Sequence, residues 1–94
     1  MSTYELNLGQ DVKTEVEFRT KELATKIVKD LVAERKRRGI TQQDIAGATG
    51  MKTANVTRVE SCRNTPTLDV LTRYAKALGK ELKVELIDIQ EDYK

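Results

Sequence analysis

Ninety-four residues, 38% of them hydrophobic and 34% charged, allow one folded domain with a modest core. Aromatic residues are only 4%, so that core must come from Leu, Ile, Val and Ala. The single cysteine, Cys62, excludes an intrachain disulfide, and the lack of any histidine removes the usual general base and a soft ligand set, so no enzyme, metal or cofactor is expected.

Residues 1–14 alternate polar and apolar positions only loosely and read as an N-terminal arm. From about Glu15 the pattern turns helical: Leu23, Ile27 and Leu31 recur every fourth residue, and Ala24, Val28 and Val32 widen the stripe. The last turn, Arg35-Lys36-Arg37-Arg38, suits the negative end of the helix dipole, and Gly39 supplies a stop. Thr41 is a candidate N-cap for a short second helix through Ile45 and Ala46 to about Thr49, with Asp44 as its capping-box partner. Gly50 breaks it. Lys52 or Thr53 opens a third helix with Val56 and Val59 inward, ending near Ser61. Asn64-Thr65-Pro66 is a turn, and Pro66-Thr67 introduces a fourth helix with Leu68, Leu71, Ala75 and Leu78 on one side. Gly79 ends it. Residues 81–86 then alternate strictly and predict a strand with Leu82, Val84 and Leu86 on one face. No second strand is expected, so its backbone groups would be met most cheaply by the same strand of a second copy, a homodimer. No apolar run approaches the ~20 residues of a membrane span, and no signal-peptide core is evident; the cytoplasm is the expected location.

The spacing around Gly50 carries the functional reading. Two helices joined over a tight turn need a small residue where they approach, a turn position tolerant of positive φ, and apolar anchors into the core. Ala46, Gly50, and Ile45, Met51, Val56 and Val59 supply these. The charge agrees: residues 35–63 carry seven positive and two negative side chains (+5), against −2 for residues 1–34, +2 for 64–80 and −3 for 81–94. A basic middle between acidic ends suits a local polyanion site; a solvated charged surface is the plainer alternative.

The run Ile40-Thr41-Gln42-Gln43-Asp44-Ile45-Ala46, then Gly50-Met51, Val56, Arg58-Val59-Glu60, Pro66-Thr67-Leu68 and Leu71 to Gly79, resembles the lambda-repressor-like (Xre-type) helix-turn-helix proteins. With the strand after Gly79 the resemblance extends to HigA-like and HipB-like antitoxins, in which such a strand joins two protomers. Three positions depart from the pattern: Cys62 where a Gly usually leaves the recognition helix, Thr49 where a larger apolar residue is common, and Gly47 inside the second helix.

The resemblance implies an all-α, four-helix DNA-binding domain over residues 15–79, followed by a C-terminal β-strand and tail (80–94) that pairs across a dimer. It implies a transcriptional repressor of double-stranded DNA; the alternative is an antitoxin that neutralises a co-encoded toxin and autoregulates its operon. The third helix would lie in the major groove, with Thr53, Ala54, Asn55 and Arg58 at base edges. Gln42, Lys52, Arg63 and Asn64 are the candidates for phosphate contact, which positions without reading sequence. Arg35 and Glu60 fall where phage repressors of this family carry a structural ion pair. Lys36, Arg37 and Arg38 suit a solvated helix end or further phosphate contacts.

Overall fold

The computed structural model describes residues 10–89, with side chains from residue 13 onward. Helix α1 (Gln10–Arg37) is followed by α2 (Gln42–Thr49), α3 (Thr53–Glu60) and α4 (Leu68–Ala77), and the described residues contain no strand. Of the arm expected over residues 1–14, residues 1–9 lie outside the described residues and 10–14 are already helical.

Helix α1 is far longer than its partners. Its 28 residues span about 42 Å at 1.5 Å per residue, whereas α2, α3 and α4 have only 8, 8 and 10 residues. The short helices therefore cover only its C-terminal half. Residues 13–23 are all exposed, and Leu23, expected to start the buried stripe, is 46% exposed. Burial begins further along, where Val28 and Leu31 join Ile45 and Ala46 of α2, Val56 of α3, and Leu71, Tyr74, Ala75 and Leu78 of α4. Leu68 is also exposed, one turn ahead of Leu71 at the first position of α4.

The helix ends follow local chemistry. Beyond α1, the Ile40 N–H bonds the Arg35 carbonyl and the Gly39 N–H bonds the Lys36 carbonyl, the paired closure of a Schellman motif around a left-handed residue. The same pair recurs beyond α4, from Lys80 to Ala75 and from Gly79 to Lys76. Thr41 caps α2: its hydroxyl accepts from the Asp44 N–H at 3.0 Å while the Asp44 carboxylate accepts from the Thr41 N–H at 2.9 Å. Thr67 caps α4 by accepting from the Val70 N–H.

The strand expected over residues 81–86 is not formed. Residues 80–89 carry neither helix nor strand, because a strand needs a backbone ladder and four helices offer no edge to pair with. The shared face expected of Leu82, Val84 and Leu86 divides accordingly. Leu82 packs against the core, beside a groove between α1 and α4 lined by Ile27, Leu31 and Leu78. Val84 is 70% exposed and Leu86 wholly so.

Candidate nucleic-acid interface

The link between α2 and α3 turns on Gly50, at φ 78°, whose N–H closes α2 on the Ala46 carbonyl at 2.9 Å. Only glycine adopts that left-handed conformation without steric cost. Thr49 makes the turn polar: its hydroxyl donates to the Ile45 carbonyl at 2.7 Å and accepts from the Met51 N–H at 3.2 Å. Its departure from an apolar residue thus exchanges packing for hydrogen bonds. At the far end of α3 the chain reverses through Cys62 at φ 60°, so Cys62 itself takes the left-handed conformation that glycine usually supplies. That geometry costs an L-residue roughly 1–2 kcal/mol.

Beneath α3, one carboxylate gathers donors from the other three helices. Glu60 accepts from Arg35 Nε and Nη2 of α1, each at 2.9 Å, from Gln42 Nε2 of α2 at 2.9 Å, and from the Tyr74 hydroxyl of α4 at 2.5 Å. Arg35 Nη1 donates to the Ile40 carbonyl at 2.9 Å, and Arg35 Nε also lies 3.2 Å from the Tyr74 hydroxyl. The Arg35 and Glu60 side chains are only 10% and 9% exposed. Burial pushes the Glu60 carboxyl up, but the bonds from Tyr74, Arg35 and Gln42 outweigh it and hold it below the ordinary glutamate value. Burial likewise opposes the Arg35 charge, and the bonds to Glu60 and Tyr74 overcome it, so the guanidinium is raised above its usual value. Burial first, then the Glu60 bond, raises the Tyr74 phenol, which keeps it a donor.

With Val56, Val59 and Glu60 directed inward, α3 leaves Thr53, Ala54, Asn55, Thr57 and Arg58 exposed. Lys52 stands just before the helix as its N-cap, with no side-chain capping bond, and Arg63 and Asn64 follow it in the loop; all three are exposed. Gln42 is half-buried, and its carboxamide is engaged on both sides: Nε2 donates to Glu60, and Oε1 accepts from the Thr57 hydroxyl at 2.8 Å. At the end of α1 one carboxylate, Glu34, is shared among several basic side chains, and the turn keeps a net positive charge. Glu34 accepts from Arg37 at 2.7 and 3.1 Å and faces Arg38 and Lys80, while Arg38 donates to the Leu78 carbonyl beyond α4.

Two contributors were missing from the sequence reading. Tyr74 continues the Leu71, Ala75, Leu78 stripe at helical spacing, a signal that was available. Thr57 gives no such signal; its role emerges only when α2 lies beside α3.

No helix among the described residues is long and apolar enough to cross a membrane. A helix-turn-helix family model matches residues 31–84, more than half of the chain. A Haemophilus influenzae (strain Rd) protein named as an uncharacterized HTH-type transcriptional regulator is 29% identical over 75 residues, covering 80% of this chain and 76% of that protein. No solved structure matches the chain. The match begins at Leu31 in the buried half of α1 and takes in the Gly50 turn, the Glu60 network and all of α4: the chain belongs to the Xre-type helix-turn-helix family.

Proposed function

We propose that the chain is a sequence-specific transcriptional repressor that binds duplex DNA as a homodimer on a pseudo-palindromic operator. The observation that carries the reading is the two-sidedness of α3, whose inner face is fixed by Val56 and the Glu60 network while its outer face is exposed. On that outer face Asn55 is suited to adenine, Arg58 to guanine, and the methyls of Thr53 and Ala54 to a thymine methyl. Lys52, Arg63 and Asn64 flank it as phosphate contacts, and Gln42, with one amide N–H beyond the bond to Glu60, adds another. The relative's name, an HTH-type transcriptional regulator, is in keeping with this. Selection from random duplexes followed by sequencing is the test. Recovery of a two-fold motif supports the proposal, and recovery of random sequence at moderate salt defeats it.

Dimerisation would run through the tail. Val84, Leu86, Ile87 and Ile89 are exposed, and antiparallel pairing with a second copy would satisfy the backbone groups along one edge and bring the Val84 and Leu86 faces of the two copies side by side. A two-fold axis there would set two α3 helices toward successive major grooves roughly 34 Å apart. Because Leu82 packs on the core, the informative truncation removes residues 84–94 and spares it. Light scattering should find a dimer for the full chain and a monomer for the truncated one; a truncated dimer rejects the tail as interface.

The antitoxin reading has its own observation: the overhanging part of α1 exposes Val16 and Phe18, and no described element packs there. Co-expression with the product of an adjacent small gene tests it. A stable stoichiometric complex favours this reading, and independent elution counts against it.

A further inference from the structure

We propose that Thr57 reads DNA as a hydrogen-bond acceptor only, selecting an amino base (adenine or cytosine) over a keto base (guanine or thymine) at one position of each half-site. The inference rests on the reading of α3 as the major-groove helix. Thr57 is exposed on α3 and, at 3.6 residues per turn, projects between Thr53 and Ala54, about 40° from the first and 60° from the second. It therefore shares the face presented to base edges.

A threonine hydroxyl ordinarily carries one donor and two acceptor sites and rotates to suit its partner, which makes it a poor discriminator of bases. Here the rotation is fixed by a chain of forced choices. The Glu60 carboxylate, ionised and surrounded by donors, can only accept. The Gln42 carboxamide must therefore turn its nitrogen to Glu60, at 2.9 Å, which leaves its oxygen 2.8 Å from Thr57 Oγ1. An amide oxygen cannot donate, so Thr57 does. The one other inward neighbour of that hydroxyl, the Thr53 carbonyl at 3.2 Å, is also an acceptor. The single hydroxyl proton is committed inward on either count, and only lone pairs remain for the groove.

In the major groove adenine N6 and cytosine N4 present donors, whereas guanine O6 and thymine O4 present acceptors. An acceptor-only hydroxyl bonds the first pair and opposes the second oxygen to oxygen.

Sequencing-based selection with the full-length wild type, Thr57→Val and Thr57→Ser tests this. Valine keeps the shape at an exposed site and removes the hydroxyl; serine keeps the hydroxyl. Wild type and Thr57→Ser should favour A or C over G or T at one position by roughly three- to tenfold, the size of one neutral hydrogen bond. Thr57→Val should lose that preference and retain the rest of the motif. An unchanged Thr57→Val motif, a lost preference for a keto base, or uniform weakening on every sequence overturns the proposal. The last outcome would make Thr57 only a brace for Gln42. A wild type with no motif defeats the DNA reading itself, whereas a wild-type motif that survives Thr57→Val defeats this inference alone.

Discussion

Arg35 and Arg37 stand two residues apart in the last turn of α1, each bound to a glutamate through two hydrogen bonds, yet they do different work. Arg37 reaches Glu34 three residues back on its own helix and is 68% exposed. Arg35 reaches Glu60, 25 residues away, in a site almost closed to water, and so joins α1 to α3 and, through Tyr74, to α4. The same chemistry decorates a helix in one place and fixes the orientation of α3 in the other. Burial and chain separation decide which.

The sharpest way to break this contrast is Arg35→Ala, which strands the Glu60 charge beneath α3. It should cost on the order of 3–5 kcal/mol in chemical denaturation. A melting temperature equal to wild type would mean the pair carries little of the fold. Tyr74→Phe removes one donor to the same carboxylate and should cost about 1.5–3 kcal/mol, the range for hydrogen bonds to charged groups. A cost indistinguishable from zero would mean Arg35 and Gln42 satisfy Glu60 without it.

Acid offers a milder cut at the same site. Because the folded Glu60 value lies below the ordinary one near 4.5, its contribution is complete above that value and is lost as the pH falls through the lower, folded value. The melting-temperature gap between wild type and Glu60→Gln should be widest near neutrality and narrow in acid; a gap independent of pH contradicts the linkage. Gly47→Ala should stabilise by about 1 kcal/mol, since Gly47 is exposed within α2 and a Cβ there meets nothing within 4 Å. Arg37→Ala should leave the melting temperature unchanged, and a fall comparable with Arg35→Ala would erase the distinction between the two pairs.

Much of this was legible in the residues, for reasons that differ from place to place. Ile45, Val56, Leu71, Ala75 and Leu78 announced themselves by helical spacing, and Thr41 and Asp44 by local capping chemistry. The start of α1 did not, because residues 10–14 hold a single apolar residue, Val12, and one residue shows no period. Leu23 and Leu68 were misplaced for the opposite reason: periodicity marks the apolar side of a helix but not how far its neighbours extend along it. Tyr74 escaped because its hydroxyl made it look polar until Arg35 and Glu60 met it in the core. Cys62 stands where the family usually has a Gly, and the fold gives it the left-handed conformation such a Gly would take. The tail was read as a strand from alternation alone, yet alternation supplies a face and not a partner, and residues 80–89 have no strand partner among the described residues.

The central claim is that the exposed face of α3 reads bases while its flanks hold phosphates. The most direct measurement is a competition gel-shift of wild type, Arg58→Ala and Lys52→Ala on the selected operator and its single-base variants, repeated at several salt concentrations. Arg58→Ala should lose about 1–3 kcal/mol of discrimination at one base position and leave the others intact. Lys52→Ala should weaken every sequence alike and flatten the dependence on salt. If the two variants change affinity in the same way, or neither changes it, α3 is not the reading helix.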